Sequence, residues 1–242
     1  MKKAFISAAT LAAALCHPAA RTAEEETQVF LAGGELNYVG KLSADANARL
    51  FALFQSQETK PTILSIRSPG GNTDLGMELG KWVHQNHLDV KVMEVCFSSC
   101  ANYVFPAARR KIVSNFAVVG YHGGLGSTTF QVDAATEAML AALPAGEQTR
   151  TRASILESGR QYAASQLARE QKFFAMIGVQ QKITTLGQAE KYAGTMPENA
   201  LGWYYSVDDF EKLGVGNITV INPPWQPRFI TAPFTVVRVA VE

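Results

Sequence analysis

The alternation of short apolar strands, glycine-containing turns and amphipathic helices is the feature that most constrains the fold of this chain. Its clearest copy begins with the apolar run Thr62–Ile66, which leads into the turn Ser68-Pro69-Gly70-Gly71. Apolar residues then recur at helical spacing over Asp74–Gln85, and a second apolar run, Val90–Val95, follows. Strand, turn, helix and strand in this order form a βαβ unit, so the sequence predicts an α/β fold with parallel strands.

Residues able to do chemistry follow three of the predicted strands. The glycine turn follows the first, Ser98 follows Val90–Val95 within the segment Cys96–Ala101, and His122 follows the run Ala117–Tyr121. In open α/β sheets, sites form at the carboxyl ends of strands. A hydroxyl, an imidazole and a turn that presents backbone N–H groups are the parts that acyl transfer needs.

Each of these residues also has a purely structural interpretation. Ser98 could cap the helix that follows it. His122 could be a core histidine with its hydrogen bonds satisfied, and Gly70-Gly71 could form an ordinary turn between strand and helix. His84 and His87 lie on one helix face, but a third metal ligand cannot be placed, so an exposed helix end is the favoured interpretation.

The N-terminus predicts an export signal. Met1-Lys2-Lys3 is basic, residues 4–15 are an apolar run too short to span a bilayer, and cleavage is expected within Ala19–Ala23. The predicted organisation is a signal peptide over residues 1–23, one domain over residues 24–221 and a proline-containing extension over residues 222–242. The expected mature protein has no transmembrane segment and is periplasmic or secreted.

The charge balance argues against a nucleic-acid partner. The formal net charge of the whole chain is +1, and removing Lys2, Lys3 and Arg21 with the signal brings it to −2. Nucleic-acid-binding domains usually carry a marked excess of basic residues, and this chain does not.

Two cysteines, Cys96 and Cys100, remain after the predicted processing. In an oxidising compartment a disulfide between them is favoured. The separation is awkward within a regular helix, and becomes feasible if Cys96 lies in the turn before the helix starts. Free thiols and a metal site are the alternatives, although two thiols without nearby partners make a poor metal site.

The second half of the chain predicts a long helical region. Helices are expected over Ala134–Leu143 and Thr149–Ile177, interrupted at Pro144-Ala145-Gly146. Their apolar stripe suggests subunit contacts in a homo-oligomer, with Phe173 or Phe174 near the contact. The sequence does not decide whether the tail forms an extra strand or a partner-binding extension.

The order of these motifs resembles the proteolytic subunit of Clp-type serine peptidases in the crotonase-like superfamily. The segment Cys96–Ala101 is similar to the elbow C-x-S-[AS]-C-A of the exported branch that lacks an ATPase, and the resemblance covers roughly residues 29–221. It implies a crotonase-like spiral of βαβ units with a long helical C-terminal region. The sequence departs from the usual pattern of the Clp-type subunit at Cys100, which stands in place of a small apolar residue, and at Arg109-Arg110, which replace small residues.

The resemblance also implies roles for individual residues. Ser98 falls at the nucleophile position, opening a helix over Ser98–Ala107, and His122 falls at the base position. The backbone N–H groups of Gly71 and Ser99 fall at the oxyanion hole. Counting back from the strand near Tyr204 gives Glu198 as the acid that orients the imidazole.

The expected function is that of an exported serine peptidase or acyl hydrolase with a peptide or acyl substrate, without an ATPase, cofactor or metal. The alternative is a catalytically inactive crotonase-like protein with a binding or assembly role. A thiol pair of Cys100 and His122 is a third possibility.

Overall fold

The computed structural model describes residues 26–127, 132–192, 194, 196–231 and 233–242. The predicted signal peptide lies outside the described residues.

A six-stranded sheet forms the centre of the domain, in the order β1-β2-β3-β4-β6-β9. Its strands are parallel except for β1, which pairs antiparallel with β2. Two further sheets have two parallel strands each, β5 with β7 and β8 with β10. The strands are β1 Gln28–Ala32, β2 Glu35–Val39, β3 Ile63–Arg67, β4 Asp89–Val92, β5 Val95–Phe97, β6 Lys111–Ser114, β7 Val118–Gly120, β8 Ala200–Tyr204, β9 Ile218–Ile221 and β10 Thr235–Arg238.

Helices connect the strands and continue after the β7 strand. The α-helices are α1 Ala44–Ser56, α2 Thr73–Gln85, α3 Phe105–Ala107, α4 Ala134–Ala141, α5 Ala145–Ile177 and α6 Val207–Lys212. A π-helical turn, Cys100–Val104, directly precedes α3. The mixed α/β class, the mostly parallel sheet and the long helix late in the chain are therefore as predicted.

The predicted βαβ unit is confirmed as β3-α2-β4. The β3 and β4 strands are parallel neighbours, and the Asn72 side chain caps α2 by accepting from the Asp74 and Leu75 N–H groups. Glycine lets α2 approach its neighbour closely, because a Cβ on Gly80 would lie 2.4 Å from the Tyr103 carbonyl oxygen. The unit thus brings α2 against the helical segment that follows Ser98.

The predicted strand Val90–Val95 is wrong in its extent. The β4 strand ends at Val92, and the chain crosses at Met93 and Glu94 into β5, which pairs with β7 in a separate sheet. The segments before Ser98 and His122 therefore lie outside the main sheet. An isolated bridge between Ser68 and Cys96 keeps β5 beside the end of β3.

Arg109 and Arg110 have a structural role here. Both guanidinium groups bind the buried carboxylate of Asp89, with Arg109 Nε 3.0 Å from Oδ1 and Arg110 Nη2 2.5 Å from Oδ2. Burial raises the pKa of Asp89, but the hydrogen bonds from both arginines outweigh it and leave this pKa below its usual value. These two ion pairs join the start of β4 to the start of β6.

The C-terminal tail forms an additional strand. The β10 strand pairs with β8, and the buried carboxylate of Asp209 anchors the end of this strand and the residues after it. Asp209 Oδ2 lies 2.9 Å from Arg238 Nη2, and its Oδ1 accepts from the Val241 N–H at 2.9 Å. The tail is therefore part of the folded domain.

The long helix α5 begins at Ala145, directly after Pro144. The interruption between α4 and α5 therefore lies slightly earlier in the chain than predicted. Phe173 and Phe174 are buried in the chain's own core, where both rings contact Tyr103. They are therefore not available for a subunit contact. No helix among the described residues combines the length and apolarity needed to cross a membrane.

Candidate active site

Ser98 lies in a strained turn between β5 and the π-helical turn. Its φ is +56°, a left-handed conformation that is uncommon for a residue with a side chain. The Ser98 carbonyl accepts the first helical hydrogen bond, from the Asn102 N–H at 2.8 Å. The predicted helix over Ser98–Ala107 is thus replaced by a π-helical turn and a short α-helix. This turn leaves the Ser98 side chain partly exposed.

Parallel pairing brings His122 to Ser98. Phe97 is in register with Gly120, and the Ser98 N–H extends the ladder by donating to the Gly120 carbonyl at 2.9 Å. The residues that follow the two strands therefore lie side by side. The distance from His122 Nε2 to Ser98 Oγ is 2.7 Å, a hydrogen bond.

The His122 ring is oriented by packing. It stacks on Phe97 with an interplanar angle of 5° and a centroid distance of 5.5 Å. The His122 backbone carbonyl accepts from Gln188 Nε2 at 3.4 Å. Within the described part of the chain, no carboxylate forms a hydrogen bond with the ring. Glu198 is exposed in the turn before β8, so its role as orienting acid stays a prediction.

The glycine turn packs directly on the segment that contains Ser98. Gly70 has φ +95°, and a Cβ on it would lie 2.6 Å from the Phe97 carbonyl oxygen and 2.7 Å from Ser98 Cβ. The Ser99 hydroxyl donates to the Gly71 carbonyl at 2.8 Å. No described group accepts a hydrogen bond from the N–H of Gly71 or Ser99, so both donors are available.

The predicted disulfide between Cys96 and Cys100 is confirmed. The two sulfur atoms are bonded, with a Cα–Cα distance of 5.2 Å. Cys96 lies in β5 and Cys100 begins the π-helical turn, so the bond closes the loop that carries Ser98. The thiol and metal alternatives for this pair do not apply, and Cys100 is not a free partner for His122.

Sequence reasoning missed Asn102. Its buried side chain donates from Nδ2 to the Gly123 carbonyl at 2.9 Å, while its Oδ1 has no partner among the described groups. Asn102 therefore joins the turn after the serine to the loop after the histidine. Its position four residues after Ser98, one helical turn away, is the signal that could have identified it.

One cleft borders His122, and a larger one lies beside the glycine turn at Pro69. The first has a volume of about 290 Å³ and is lined by His122, Gln188 and Trp203. The other has a volume of about 890 Å³ and is lined by Pro69, Val95 and charged residues that include Arg67.

No protein-family model and no curated protein matches the chain. Among solved structures, an enoyl-CoA hydratase from Thermoplasma volcanium matches 38% of this chain at 9% identity, with a TM-score of 0.29. The match covers 49% of that protein, so the chain spans about half its length. That protein is crotonase-like, but a similarity at this level carries no argument about the fold or activity of this chain.

Proposed function

We propose that this protein is a serine hydrolase that acts on peptides or other acyl substrates, with Ser98 as nucleophile and His122 as general base. The observation that carries the proposal is the 2.7 Å contact between Ser98 Oγ and His122 Nε2. A nucleophile and a base within hydrogen-bond reach are the geometric requirement of this chemistry. The positive φ of Ser98 adds support, because strained residues cluster at active sites.

The reaction proceeds through an acyl-enzyme. His122 Nε2 accepts the hydroxyl proton as Ser98 Oγ attacks the substrate carbonyl carbon, which gives a tetrahedral oxyanion. Collapse breaks the bond to the leaving amine or alcohol, which takes the proton from His122. Water, deprotonated by the same imidazole, then attacks the ester carbonyl carbon. The second tetrahedral intermediate releases the acid product, and the imidazolium returns the proton to Ser98 Oγ.

The N–H groups of Gly71 and Ser99 are the proposed oxyanion donors. Both lack acceptors among the described groups, and the Ser99 hydroxyl holds the Gly71 peptide in place. Fixed donors of this kind stabilise the charge that develops on the substrate oxygen. Stacking on Phe97 orients the imidazole, and Glu198 is a proposed third member.

We further infer that the domain is a Clp-like member of the crotonase-like superfamily that is exported and forms a homo-oligomer. The motif order and the contact between Ser98 and His122 support the family, and the disulfide supports an oxidising compartment. Exposed apolar side chains on the helical region support assembly, since Met139 is 73% exposed and Tyr162 64% exposed. Light scattering should give a multimer at micromolar concentration, and a monomer mass would contradict assembly.

A fluorophosphonate probe tests the proposed activity, because it reacts with activated serines. The purified protein should be labelled on the peptide that contains Ser98. Ser98→Ala should abolish labelling, and His122→Gln should slow it at least about 100-fold, the scale of general-base catalysis.

Ser127→Ala is the matched control, since Ser127 is an exposed serine on the loop after His122. It should be labelled at the wild-type rate. A folded wild-type protein that is labelled no faster than its Ser98→Ala variant would overturn the proposal in favour of a non-catalytic binding protein.

A further inference from the structure

Lys111 is a buried lysine without a partner. It is the first residue of β6 and only 5% exposed. Among the described residues, no acceptor or carboxylate lies within hydrogen-bond or ion-pair distance of its ammonium group. By contrast, Lys91 on the neighbouring strand β4 is paired with Glu35, at 2.7 Å from Nζ to Oε1.

A partly desolvated ammonium group without a partner is costly. Transfer of a charge from water to a protein interior is unfavourable unless an opposite charge or several acceptors compensate it. Burial lowers the pKa of Lys111 to about 8, a value at which most of the lysine is still protonated at neutral pH. A bound anion would supply the missing compensation.

Lys111 lines a pocket of about 270 Å³. Other basic side chains also line it, namely His84, His87 and Arg109. The Arg109 guanidinium is held by Asp89, which leaves Lys111 as the uncompensated cation of the pocket. The volume lies just below the range typical of drug-sized ligands, which suits a small acid.

The pocket is separate from the candidate active site. Lys111 lies at the amino end of β6 in the parallel sheet, whereas the glycine turn follows the carboxyl end of β3. The two sites therefore lie at opposite ends of the strands of the sheet. Asn217 borders the pocket just before β9, and its carbonyl accepts from the Lys111 N–H at 2.9 Å.

We propose that this pocket binds a small oxyanion through the Lys111 ammonium group. His84 and His87 provide further nitrogen atoms at its wall. Charge-assisted hydrogen bonds donated by an ammonium group to an oxyanion are about twice as strong as hydrogen bonds between neutral groups. The ligand class includes phosphate, sulfate and small carboxylates.

Thermal unfolding with inorganic phosphate or acetate, at constant ionic strength and against chloride, tests the proposal. At a concentration ten times the dissociation constant, the bound anion should raise the Tm of the wild-type protein by about 3 °C or more. Phosphate and acetate in separate titrations distinguish a tetrahedral from a planar ligand. A shift with either anion supports the proposal, and no shift with both overturns it.

Lys111→Met, which keeps most of the length of the side chain, should abolish the anion-dependent shift, and the variant without anion should be at least as stable as the wild type. Lys91→Met is the control and should retain the shift, because it removes a lysine that already has a partner. Isothermal titration with phosphate gives a second readout, and an affinity of Lys111→Met equal to that of the wild type would refute the proposal.

Discussion

Substitution of Gly70 by alanine tests whether the glycine turn sets the position of the nucleophile. The new Cβ would lie 2.6 Å from the Phe97 carbonyl oxygen, 2.7 Å from Ser98 Cβ and 2.9 Å from the Ser99 backbone nitrogen. Contacts this short with backbone atoms cannot be relieved by rotating a side chain, so the turn or the segment around Ser98 must move.

The expected cost has two parts. A non-glycine residue at φ +95° adds strain of about 1 to 2 kcal/mol. Overpacking against the segment around Ser98 adds about 1 to 3 kcal/mol. We therefore expect Gly70→Ala to lower the free energy of unfolding by about 3 kcal/mol, measured by urea denaturation.

Gly33→Ala is the matched control. Gly33 also has positive φ, +59°, but nothing lies within 4 Å of the position of its new Cβ. It should lose only the strain, about 1 kcal/mol, and keep the wild-type rate of fluorophosphonate labelling. Gly70→Ala should be labelled at least about tenfold more slowly, since a shift of about 1 Å at a reacting group is costly. Wild-type labelling of a folded Gly70→Ala protein would refute the argument.

Three other outcomes are expected. Asp209→Asn should lower the free energy of unfolding by about 2 kcal/mol at neutral pH, because it weakens charged hydrogen bonds to the tail. Burial raises the pKa of Asp209, but its hydrogen bonds outweigh this effect and lower the pKa to about 2. The difference in stability between variant and wild type should therefore be present above about pH 4 and shrink as the pH falls towards 2. Asn102→Ala should slow labelling of Ser98 by about tenfold. The control is Asn47→Ala, which removes a different buried asparagine, on α1, and should lower only the melting temperature. Equal labelling rates of the two variants would show that Asn102 has no positioning role. Reduction of the bond between Cys96 and Cys100 should slow labelling, whereas an unchanged rate at unchanged melting temperature would show that the disulfide does not constrain the nucleophile.

The sequence was sufficient for several of the local elements. The apolar run before the glycine turn and the helical periodicity after it predicted β3, α2 and their parallel connection, because strand and helix periods are properties of neighbouring residues. The spacing of Cys96 and Cys100 and the predicted oxidising compartment were enough to predict the disulfide between them, since disulfide formation depends on both. Ser98 and His122 were identified as candidates because each follows an apolar run.

Only the tertiary structure decided how these elements meet. The chain leaves β4 after Val92 to pair β5 with β7, and this second sheet, not the main one, brings Ser98 and His122 together. The sequence also could not identify Lys111 as a buried lysine without a partner. The lack of a partner depends on which residues β4, β9 and the surrounding loops place near it. Local patterns fix the elements, whereas long-range pairing and burial fix which side chains share a site.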